Sequence, residues 1–318
     1  MPAATRRQRF RRSTPGPFAL TARDVEIIKT VAHHHLIRST HLDALFPEDS
    51  PDGLRRRLRV LFDAAYLSRP PRQLERYRPG GGSQPMVYCL GNKGIAELVE
   101  RYGYRRSKVD WTAKARTYQR GTLEHTLEVT DFMVALEAAC RRRGHLRVLY
   151  LDDLLQALAP EATRRSPQPD LWPVTVLWHG VPEKLHVRPD KIFAIEDRNR
   201  PEGRNRKFFF LEADRGTMPA VRATLRGTSF LRKLLAYGHT YDQKLHTGRF
   251  GMGNMRLLTV ANGGQRIDSL IATHRAHTWS LCSPKLFLFA SRAALFNGAD
   301  ILDASWTAAD REQTTLLA

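Results

Sequence analysis

Cysteine is scarce in this sequence, with three residues in 318. Cys89, Cys140 and Cys282 are isolated from one another and form no Cys-x-x-Cys pair. Neither a zinc site built from paired cysteines nor a disulfide framework is therefore indicated, and the spacing suits a reducing compartment. We expect a cytoplasmic protein.

Long apolar runs are also lacking. No uninterrupted apolar stretch approaches the roughly 18 residues that a membrane-spanning helix needs. The first twelve residues include five arginines, but no apolar segment of the kind that a secretory signal requires follows them. We interpret residues 1–19 as a flexible basic arm and expect no membrane partner.

Two further absences narrow the chemistry. The chain has 21 glycines but no GxxxxGK[ST] phosphate loop, so ATP hydrolysis is not indicated. The triplet His33-His34-His35 does not indicate a metal site, because consecutive helical residues point about 100° apart. We interpret the triplet as a helix end, where histidine suits the helix dipole.

Positive charge is abundant. The chain carries 51 Lys and Arg against 32 Asp and Glu, a formal net charge of +19. Residues 1–116 hold 23 of the basic residues and 11 of the acidic ones, so the excess is densest in the first third. Such a balance is expected of a segment that meets phosphate backbones. The alternative is an arginine-rich composition without a nucleic-acid partner.

Three helices are predicted after the basic arm. Thr21 is a suitable N-cap for a first helix through His33, and a short second helix is expected between Arg38 and Phe46. Ser50 and Pro51 are typical of an N-cap and a first helical position. The third helix then has an apolar back, formed by Leu54, Leu58, Leu61, Phe62 and Ala65, and an outer face with Arg55, Arg56, Arg57 and Arg59. Guanidinium groups on an apolar-backed helix are typical of a recognition helix in a DNA groove.

A hairpin with a basic, glycine-rich tip is predicted next. Its strands are expected at residues 66–69, extended by 74–78, and at 86–90, with the tip at 79–83. Four arginines would follow the phosphate backbone: Arg69, Arg72, Arg76 and Arg78. With a closing helix from Asn92 to about Gly103, this order predicts a winged-helix domain over residues 20–104 that binds double-stranded DNA. The alternative is a small basic lobe that binds only protein.

The rest of the chain predicts an α/β domain. Residues 105–118 are interpreted as a linker, and a long helix at 123–143 is nearly apolar all round in its middle, which favours packing on a sheet. Strands are expected at residues 146–151, 174–178, 185–187, 192–195, 208–211, 256–261 and 286–290, and helices at 229–245 and 265–274. Their alternation predicts a domain over residues 119–295, followed by a C-terminal tail at 296–318.

Three carboxylates lie at the ends of two predicted strands. Asp190 precedes the strand at 192–195, while Glu212 and Asp214 follow the strand at 208–211. Residues two apart in a strand share a face, so Glu212 and Asp214 are expected to point the same way. Mg²⁺ or Mn²⁺ is the cofactor that three such acids would hold. The alternative is that they cap strand ends and pair with neighbours such as Arg188 and Arg215.

These motifs resemble those of known families. Pro189-Asp190 and Glu212-x-Asp214 resemble the PD-(D/E)xK nuclease superfamily. Together with the helical pattern, the run Leu211–Thr217, Lys233 and Tyr237, they resemble the replication-relaxation family of bacterial plasmids and mobile elements over about residues 20–260. The resemblance implies a restriction-endonuclease-like mixed sheet flanked by helices, catalytic or metal-binding roles for Asp190, Glu212 and Asp214, and a role in plasmid replication and DNA relaxation.

The sequence departs from the nuclease pattern at its third position. Asp214 stands where a lysine is usual, and Lys233 or Arg215 is the candidate replacement for that cation. Tyr237 and Tyr241 are four residues apart on a predicted helix, and we interpret both as packing residues rather than nucleophiles.

Three functions are consistent with these features. The first is a DNA-binding protein of a plasmid or integrated element, acting in replication, relaxation or mobilisation, with a metal-dependent nicking activity. The second is a catalytically silent accessory protein with the same folds, which recruits replication or conjugation proteins. The third is a winged-helix transcription regulator. DNA binding is common to all three, and the three acids favour the first two.

Overall fold

The computed structural model describes residues 10–14, 16–71, 73, 84–110, 120–277 and 282–318. Contacts divide the chain into two units, Met1–Val134 and Ala135–Ala318. Helices and strands occur in both units, so the chain is an α/β protein, as predicted. Among the described helices, none combines the length and the apolar character that crossing a membrane requires.

The first unit alternates short helices with short strands. The elements are α1 (Ala22–His34), β1 (Ile37–Arg38), α2 (Ser39–Leu45), α3 (Pro51–Asp63), β2 (Leu67–Ser68), β3 (Val87–Leu90), α4 (Asn92–Tyr102) and α5 (Arg106–Val109), followed by the first part of α6 (Arg120–Arg143). The three strands form an antiparallel sheet in the order β1-β3-β2.

Side-chain caps start two of these helices at the predicted residues. Thr21 and Asp24 form a capping box at α1, in which Asp24 N donates to Thr21 Oγ1 at 3.2 Å and Thr21 N donates to Asp24 Oδ2 at 2.7 Å. At α3, Gly53 N donates to Ser50 Oγ at 3.2 Å and Pro51 is the first helical residue. Each cap satisfies a backbone donor that lacks a helical partner.

Helix α3 ends earlier than predicted. Leu54, Leu58, Leu61 and Phe62 are buried as expected, but the helix stops at Asp63. Ala65 has a φ of 66° and so leaves the helix in the left-handed region. Tyr66 N then donates to the carbonyl oxygen of Leu61 at 2.9 Å, which closes the turn into β2. Ala65 is therefore part of this turn and not of the buried helix face.

Part of the predicted hairpin lies outside the described residues, namely 74–78 and the tip at 79–83. The two strands that flank it, β2 and β3, are shorter than predicted and pair with each other, and β3 also pairs with β1. Gln73 bonds to the backbone of β3, donating to Val87 O at 3.0 Å and accepting from Val87 N at 2.8 Å. This side chain therefore takes the place of one ladder partner.

The beginning of α6 packs within the first unit. Leu123 and Leu127 join Leu36, Val87 and Cys89 in one apolar cluster. Further along α6, the Asp131 carboxylate pairs with the guanidinium of Arg38 and with His41 Nε2 at 2.8 Å. The contacts therefore assign the first half of this long helix to the N-terminal unit.

The second unit is built on a seven-stranded mixed sheet. After α6 come β4 (Leu146–Tyr150), α7 (Leu151–Leu158), α8 (Glu161–Arg165), β5 (Trp172–Trp178), β6 (Val181–Val187), β7 (Lys191–Asp197), β8 (Arg206–Asp214), α9 (Phe230–Asp242), α10 (Leu245–Phe250), β9 (Arg256–Ala261), α11 (Gly264–His277), a 3-10 turn (Pro284–Leu286), β10 (Phe287–Ser291), α12 (Arg292–Leu295), β11 (Trp306–Ala308) and β12 (Gln313–Thr314). The sheet order is β12-β11-β10-β9-β8-β7-β4. Strands β8, β9 and β10 run parallel, and the other pairs are antiparallel.

A large apolar core lies on one face of this sheet. It joins the β5–β6 hairpin, helix α9 and the side chains of Ile192, Ala194 and Phe210 from the central strands. Trp172 at the start of β5 donates from Nε1 to Thr240 Oγ1 of α9 at 3.1 Å. Alternation along β8 places Glu212 on the same face as Phe210, so the acid lies at the edge of this core.

The last residues of the chain differ from the prediction of a tail. Within residues 296–318, β11 pairs with β10 and β12 pairs with β11 at the sheet edge. Trp306 is fully buried. These strands have three and two residues, too short for a period-two pattern to stand out in the sequence.

Candidate functional site

The acid-bearing ends of β7 and β8 lie side by side. Lys191 pairs with Leu211 in the antiparallel ladder, and Asp190 N donates to Leu211 O at 3.0 Å one step further out. The Asp190 carboxylate then accepts from Ala213 N at 2.9 Å. Asp190 and Glu212, which the sequence motifs select together, are therefore neighbours at one end of the sheet.

Glu212 is enclosed by helix α9. The residue is 2% exposed, and its two carboxylate oxygens are each taken by a side chain of that helix. Tyr237 Oη donates to Oε1, and Lys233 Nζ pairs with Oε2. Lys233 and Tyr237 are four residues apart, so they lie on one face of α9. Tyr237 packs in the core as predicted and in addition bonds the acid.

Burial controls the ionisation of this group of side chains. Burial raises the pKa of Glu212 to about 7, and although the Lys233 charge opposes the shift, the nearby Asp190 charge adds to it. Burial disfavours the ammonium form of Lys233, but the charges of Glu212 and Asp190 outweigh it and raise the pKa of Lys233. The Tyr237 pKa is raised well above its usual value, first by burial and then by the Glu212 charge. Lys233 therefore stays an ammonium and neutralises the acid end of β8.

Asp214 is held by an arginine that no sequence motif selects. Arg266 of α11 donates from Nη2 to Oδ2 at 2.8 Å and from Nε to Oδ1 at 3.2 Å. Gly216 N also donates to Oδ1 at 2.6 Å. Asp214 is 6% exposed, so this two-point ion pair is largely buried. Arg266 lies 52 positions further along the chain, and no local pattern links the two.

The three acids as they stand do not fit a divalent metal. Both oxygens of Glu212 and both oxygens of Asp214 already accept from protein donors, and Asp190 Oδ2 accepts from Ala213 N. No group of three or more His, Cys, Asp or Glu that could hold a metal occurs among the residues that the structure describes. The cations at this site come from Lys233 and Arg266. Metal binding by Asp190, Glu212 and Asp214 stays a prediction.

Lys191, beside Asp190, is a second partly buried lysine of this region. Its Nζ lies 6.0 Å from the ring centroid of Tyr150. Burial lowers the pKa of Lys191 to about 8, and the charges of Asp152 and Asp170 partly oppose this shift. Strand alternation directs it to the sheet face opposite to Asp190, so it does not join the pair of Glu212 and Lys233.

Helix α3 presents its four arginines unequally. Arg55 and Arg56 are exposed, and Arg55 pairs with Asp52 at 3.2 Å. Arg57 instead binds the buried carboxylate of Asp24 and donates to Ala19 O at 3.1 Å. Arg59 pairs with Asp63 at 2.8 Å and donates to Arg11 O at 3.0 Å and to Ser13 Oγ at 3.2 Å. Two arginines face solvent, and two tie α3 to the preceding chain.

Arg69 packs against Phe62 of the same helix. It is 8% exposed, donates from Nη2 to Tyr88 Oη at 3.1 Å and sits 4.1 Å from the ring centroid of Phe62. Burial lowers its pKa, with the phenol of Tyr88 opposing the shift. A phosphate contact of Arg69 stays a prediction. In the structure its guanidinium contacts Tyr88 and Phe62. Arg72, Arg76 and Arg78 lie outside the described residues.

These features together define a class of protein. A basic helical unit with a small antiparallel sheet precedes a mixed α/β sheet, where a lysine and a tyrosine enclose a buried acid. The family model of the replication-relaxation proteins matches residues 28–252, and the chain belongs to that family. No match was found among the curated proteins or among the solved structures.

The family match covers most of the candidate site. It includes α3, the acids of β7 and β8, and Lys233 and Tyr237 of α9. Arg266, which holds Asp214, lies beyond the end of the match. The predicted resemblance to the replication-relaxation family is thus confirmed over the residues that carried it.

Proposed function

We propose that this chain is a DNA-binding protein that acts in the replication or relaxation of plasmid or mobile-element DNA. Membership of the replication-relaxation family supports the biological role. The proposed contact is made by α3, which enters the major groove of double-stranded DNA with Arg55 and Arg56 in front. The observation that carries this assignment is a capped, apolar-backed helix whose exposed side is basic.

The order of elements supports a winged helix. Helices α1, α2 and α3 precede β2, and β3 lies between β1 and β2 in an antiparallel sheet. A winged helix has this succession, with the hairpin between its last two strands as the wing. The phosphate contacts of Arg72, Arg76 and Arg78, which lie outside the described residues, stay predictions.

The ion pairs of α3 support two different roles for its four arginines. Arg55 has two carboxylate partners, Asp52 at 3.2 Å and Asp43 at 3.7 Å. Asp52 is 86% exposed, and an ion pair of this kind contributes little stability. A phosphate or a guanine edge can therefore replace it. Arg57 is bound to the buried Asp24 of α1, and Arg59 donates to Arg11 O and Ser13 Oγ in the preceding chain, so these two hold the helix in position. We propose that Arg55 and Arg56 contact DNA while Arg57 and Arg59 orient them.

Replacing Arg55 and Arg56 by glutamine tests the assignment. Loss of two phosphate or base contacts is expected to weaken binding to a short fluorescein-labelled duplex about tenfold or more, measured by anisotropy. The matched control is Arg101→Gln with Arg106→Gln, which removes the same charge from exposed positions on α4 and α5. Equal losses in both double variants would show a general charge effect and remove α3 from the interface.

A second candidate function is DNA nicking at the acid-bearing end of β7 and β8. The convergence of Asp190, Glu212 and Lys233 favours it, because carboxylates and a cation at one strand end are what the nuclease resemblance implies. Lys233, Tyr237 and Arg266 occupy the carboxylate oxygens of Glu212 and Asp214, so the acids as they stand do not fit Mg²⁺ or Mn²⁺. Nicking is therefore expected only where Lys233 and Arg266 release the carboxylates.

Incubation of the purified protein with supercoiled plasmid and Mg²⁺ or Mn²⁺ tests this second function. An active site predicts nicked circles that Asp190→Asn and Glu212→Gln each abolish. Absence of nicking, with DNA binding intact and no Mn²⁺ uptake in calorimetry, would instead favour a catalytically silent accessory protein. Metal-independent binding to one operator sequence would favour a transcription regulator.

A further inference from the structure

A strongly basic segment connects β8 to α9. Residues 215–241 contain five Lys and Arg and no Asp or Glu, in a chain with 32 acidic residues. Lys233 neutralises Glu212, so its charge is used inside the fold. The other cations of this stretch are Arg215, Arg222, Arg226 and Arg232, and the segment itself supplies no acid to balance them.

The backbone of this segment is anchored despite having no helix or strand before α9. Four hydrogen bonds hold it: from Asn262 Nδ2 to Arg215 O at 3.0 Å, from Arg266 Nη2 to Met218 O at 2.8 Å, from Phe230 N to Pro219 O at 3.1 Å, and from Leu231 N to Ala220 O at 2.8 Å. Leu225 is buried in the core. The loop therefore presents its side chains from a defined backbone.

Two arginines of the loop face solvent. Arg222 donates from Nε to the carbonyl oxygen of Thr228 at 2.9 Å, which folds its stem over Gly227. Arg222 and Arg226 are exposed, and within the described ranges neither forms an ion pair. An exposed guanidinium held at its Nε keeps its two terminal nitrogens for another acceptor.

A third arginine has a buried donor that lacks an acceptor. Arg232 lies in the first turn of α9, where its backbone N donates to the N-cap Ser229 Oγ at 3.2 Å. Its side-chain Nε is buried and has no hydrogen-bond partner in the part of the chain that the structure describes. The first turn of α9 is also where the helix dipole stabilises a nearby anion.

We propose that residues 215–232 form a second DNA contact surface, the β8–α9 clamp, in which Arg222, Arg226 and Arg232 bind the phosphodiester backbone. The proposal rests on the proposed DNA-binding function and adds a contact in the second unit. Guanidinium forks match phosphate oxygens in geometry and charge, whereas the loop offers no acid for a basic partner. An acidic protein partner is the competing occupant.

The clamp lies at the acid-bearing end of β8. Arg266 bonds both the Asp214 carboxylate and the carbonyl oxygen of Met218 in the loop. Arg232 precedes Lys233, which pairs with Glu212. The loop of the clamp is therefore joined to the strand end that carries Glu212 and Asp214. The clamp needs no metal and is independent of whether nicking takes place.

The test compares two double variants of the full-length chain on one fluorescein-labelled duplex. Arg222→Gln with Arg226→Gln is expected to weaken binding about tenfold, because two phosphate contacts are lost. Photocross-links from a bromodeoxyuridine-substituted strand to peptides of residues 215–232 should also disappear. The control, Arg198→Gln with Arg204→Gln, removes the same charge from exposed residues of the β7–β8 loop and should change affinity less than about twofold.

The outcomes separate this proposal from the function of α3. If the clamp variant and its control weaken binding equally, or if neither changes binding and no cross-link maps to residues 215–232, the clamp is excluded. The α3 variant with Arg55→Gln and Arg56→Gln is measured in parallel. Loss of binding in that variant alone would leave α3 as the DNA contact and remove the clamp, with an acidic protein as its remaining partner.

Discussion

At the scale of single residues, the candidate site depends on the balance between burial and charge at Glu212. An acid whose pKa is higher in the folded than in the unfolded chain binds its proton preferentially when folded. The pKa of Glu212 rises from its ordinary value of 4.5 to about 7, so its contribution to stability falls as the pH rises through that range. Lys233 limits this loss by neutralising the carboxylate.

Replacing Lys233 by methionine should therefore make stability more dependent on pH. The carboxylate of Glu212 would stay buried without its cation, so its pKa should rise further. Because the Lys233 side chain is 34% exposed, we expect a loss smaller than for a fully buried pair, about 2 kcal/mol at pH 8. The loss should be smaller at pH 6, where Glu212 can take up a proton.

Urea denaturation at the two pH values measures this difference. The matched control is Lys285→Met, since Lys285 forms an exposed pair with Glu312 at 2.7 Å. The control should change stability little at either pH. A Lys233→Met protein that loses the same free energy of unfolding at pH 6 and pH 8 would contradict the raised pKa of Glu212.

Part of this site is predictable from the sequence. The rest is not predictable, because it depends on contacts between residues that are far apart in the chain. Asp190 and Glu212 come together because they lie at adjacent ends of the two strands of one hairpin, and Lys233 is one of the two cations, with Arg215, that the sequence predicts near them. Arg266 pairs with Asp214 through tertiary packing of α11 at the end of β8, which no spacing in the sequence records. The sequence does not predict the burial of Arg69 either, because an arginine at the end of a strand gives the same pattern whether its side chain faces solvent or an aromatic ring.

At the scale of elements, a residue with left-handed backbone geometry ends one helix of the second unit. Helix α10 ends at Gly251, whose φ of 70° lies in the left-handed region. A Cβ at this position would overlap the carbonyl oxygen of Leu158 at the end of α7. Only glycine satisfies both conditions without a backbone shift.

Replacing Gly251 by alanine is accordingly expected to destabilise the protein by about 2 kcal/mol. Gly248 is the matched control, because it lies within the same helix and a Cβ there meets nothing within 4 Å. Gly248→Ala should be neutral or stabilising by up to about 1 kcal/mol. Thermal unfolding of both variants measures the contrast, and equal stability would refute the proposed close approach of α10 and α7.

Elements with local signals were predictable, and those set by packing were not. Ser50 and Pro51 mark the start of α3, and the strand at Arg256–Ala261 follows from its apolar run. Helix α7 was not predicted, since it follows β4 without a turn, and the apolar residues at its start extend the strand pattern. The edge strands β11 and β12 depend on pairing with β10, a long-range contact.

At the scale of the whole molecule, the positive charge and the family membership both support the proposed binding to DNA. The net charge of +19 includes exposed arginines in both units, on α3 and in the β8–α9 clamp. The predicted helix order, the mixed α/β character and the family were accessible from sequence. The division of the chain within α6 was not, because one continuous helix gives no boundary signal.

The salt dependence of DNA affinity tests the central claim most directly. Each phosphate contact adds about 0.9 to the slope of log affinity against log salt concentration for duplex DNA. The wild-type chain is expected to bind a short duplex with a steep slope, and Arg55→Gln with Arg56→Gln should reduce both the affinity and that slope. Binding that is absent in low salt, or a slope that this variant leaves unchanged, would contradict DNA recognition by α3.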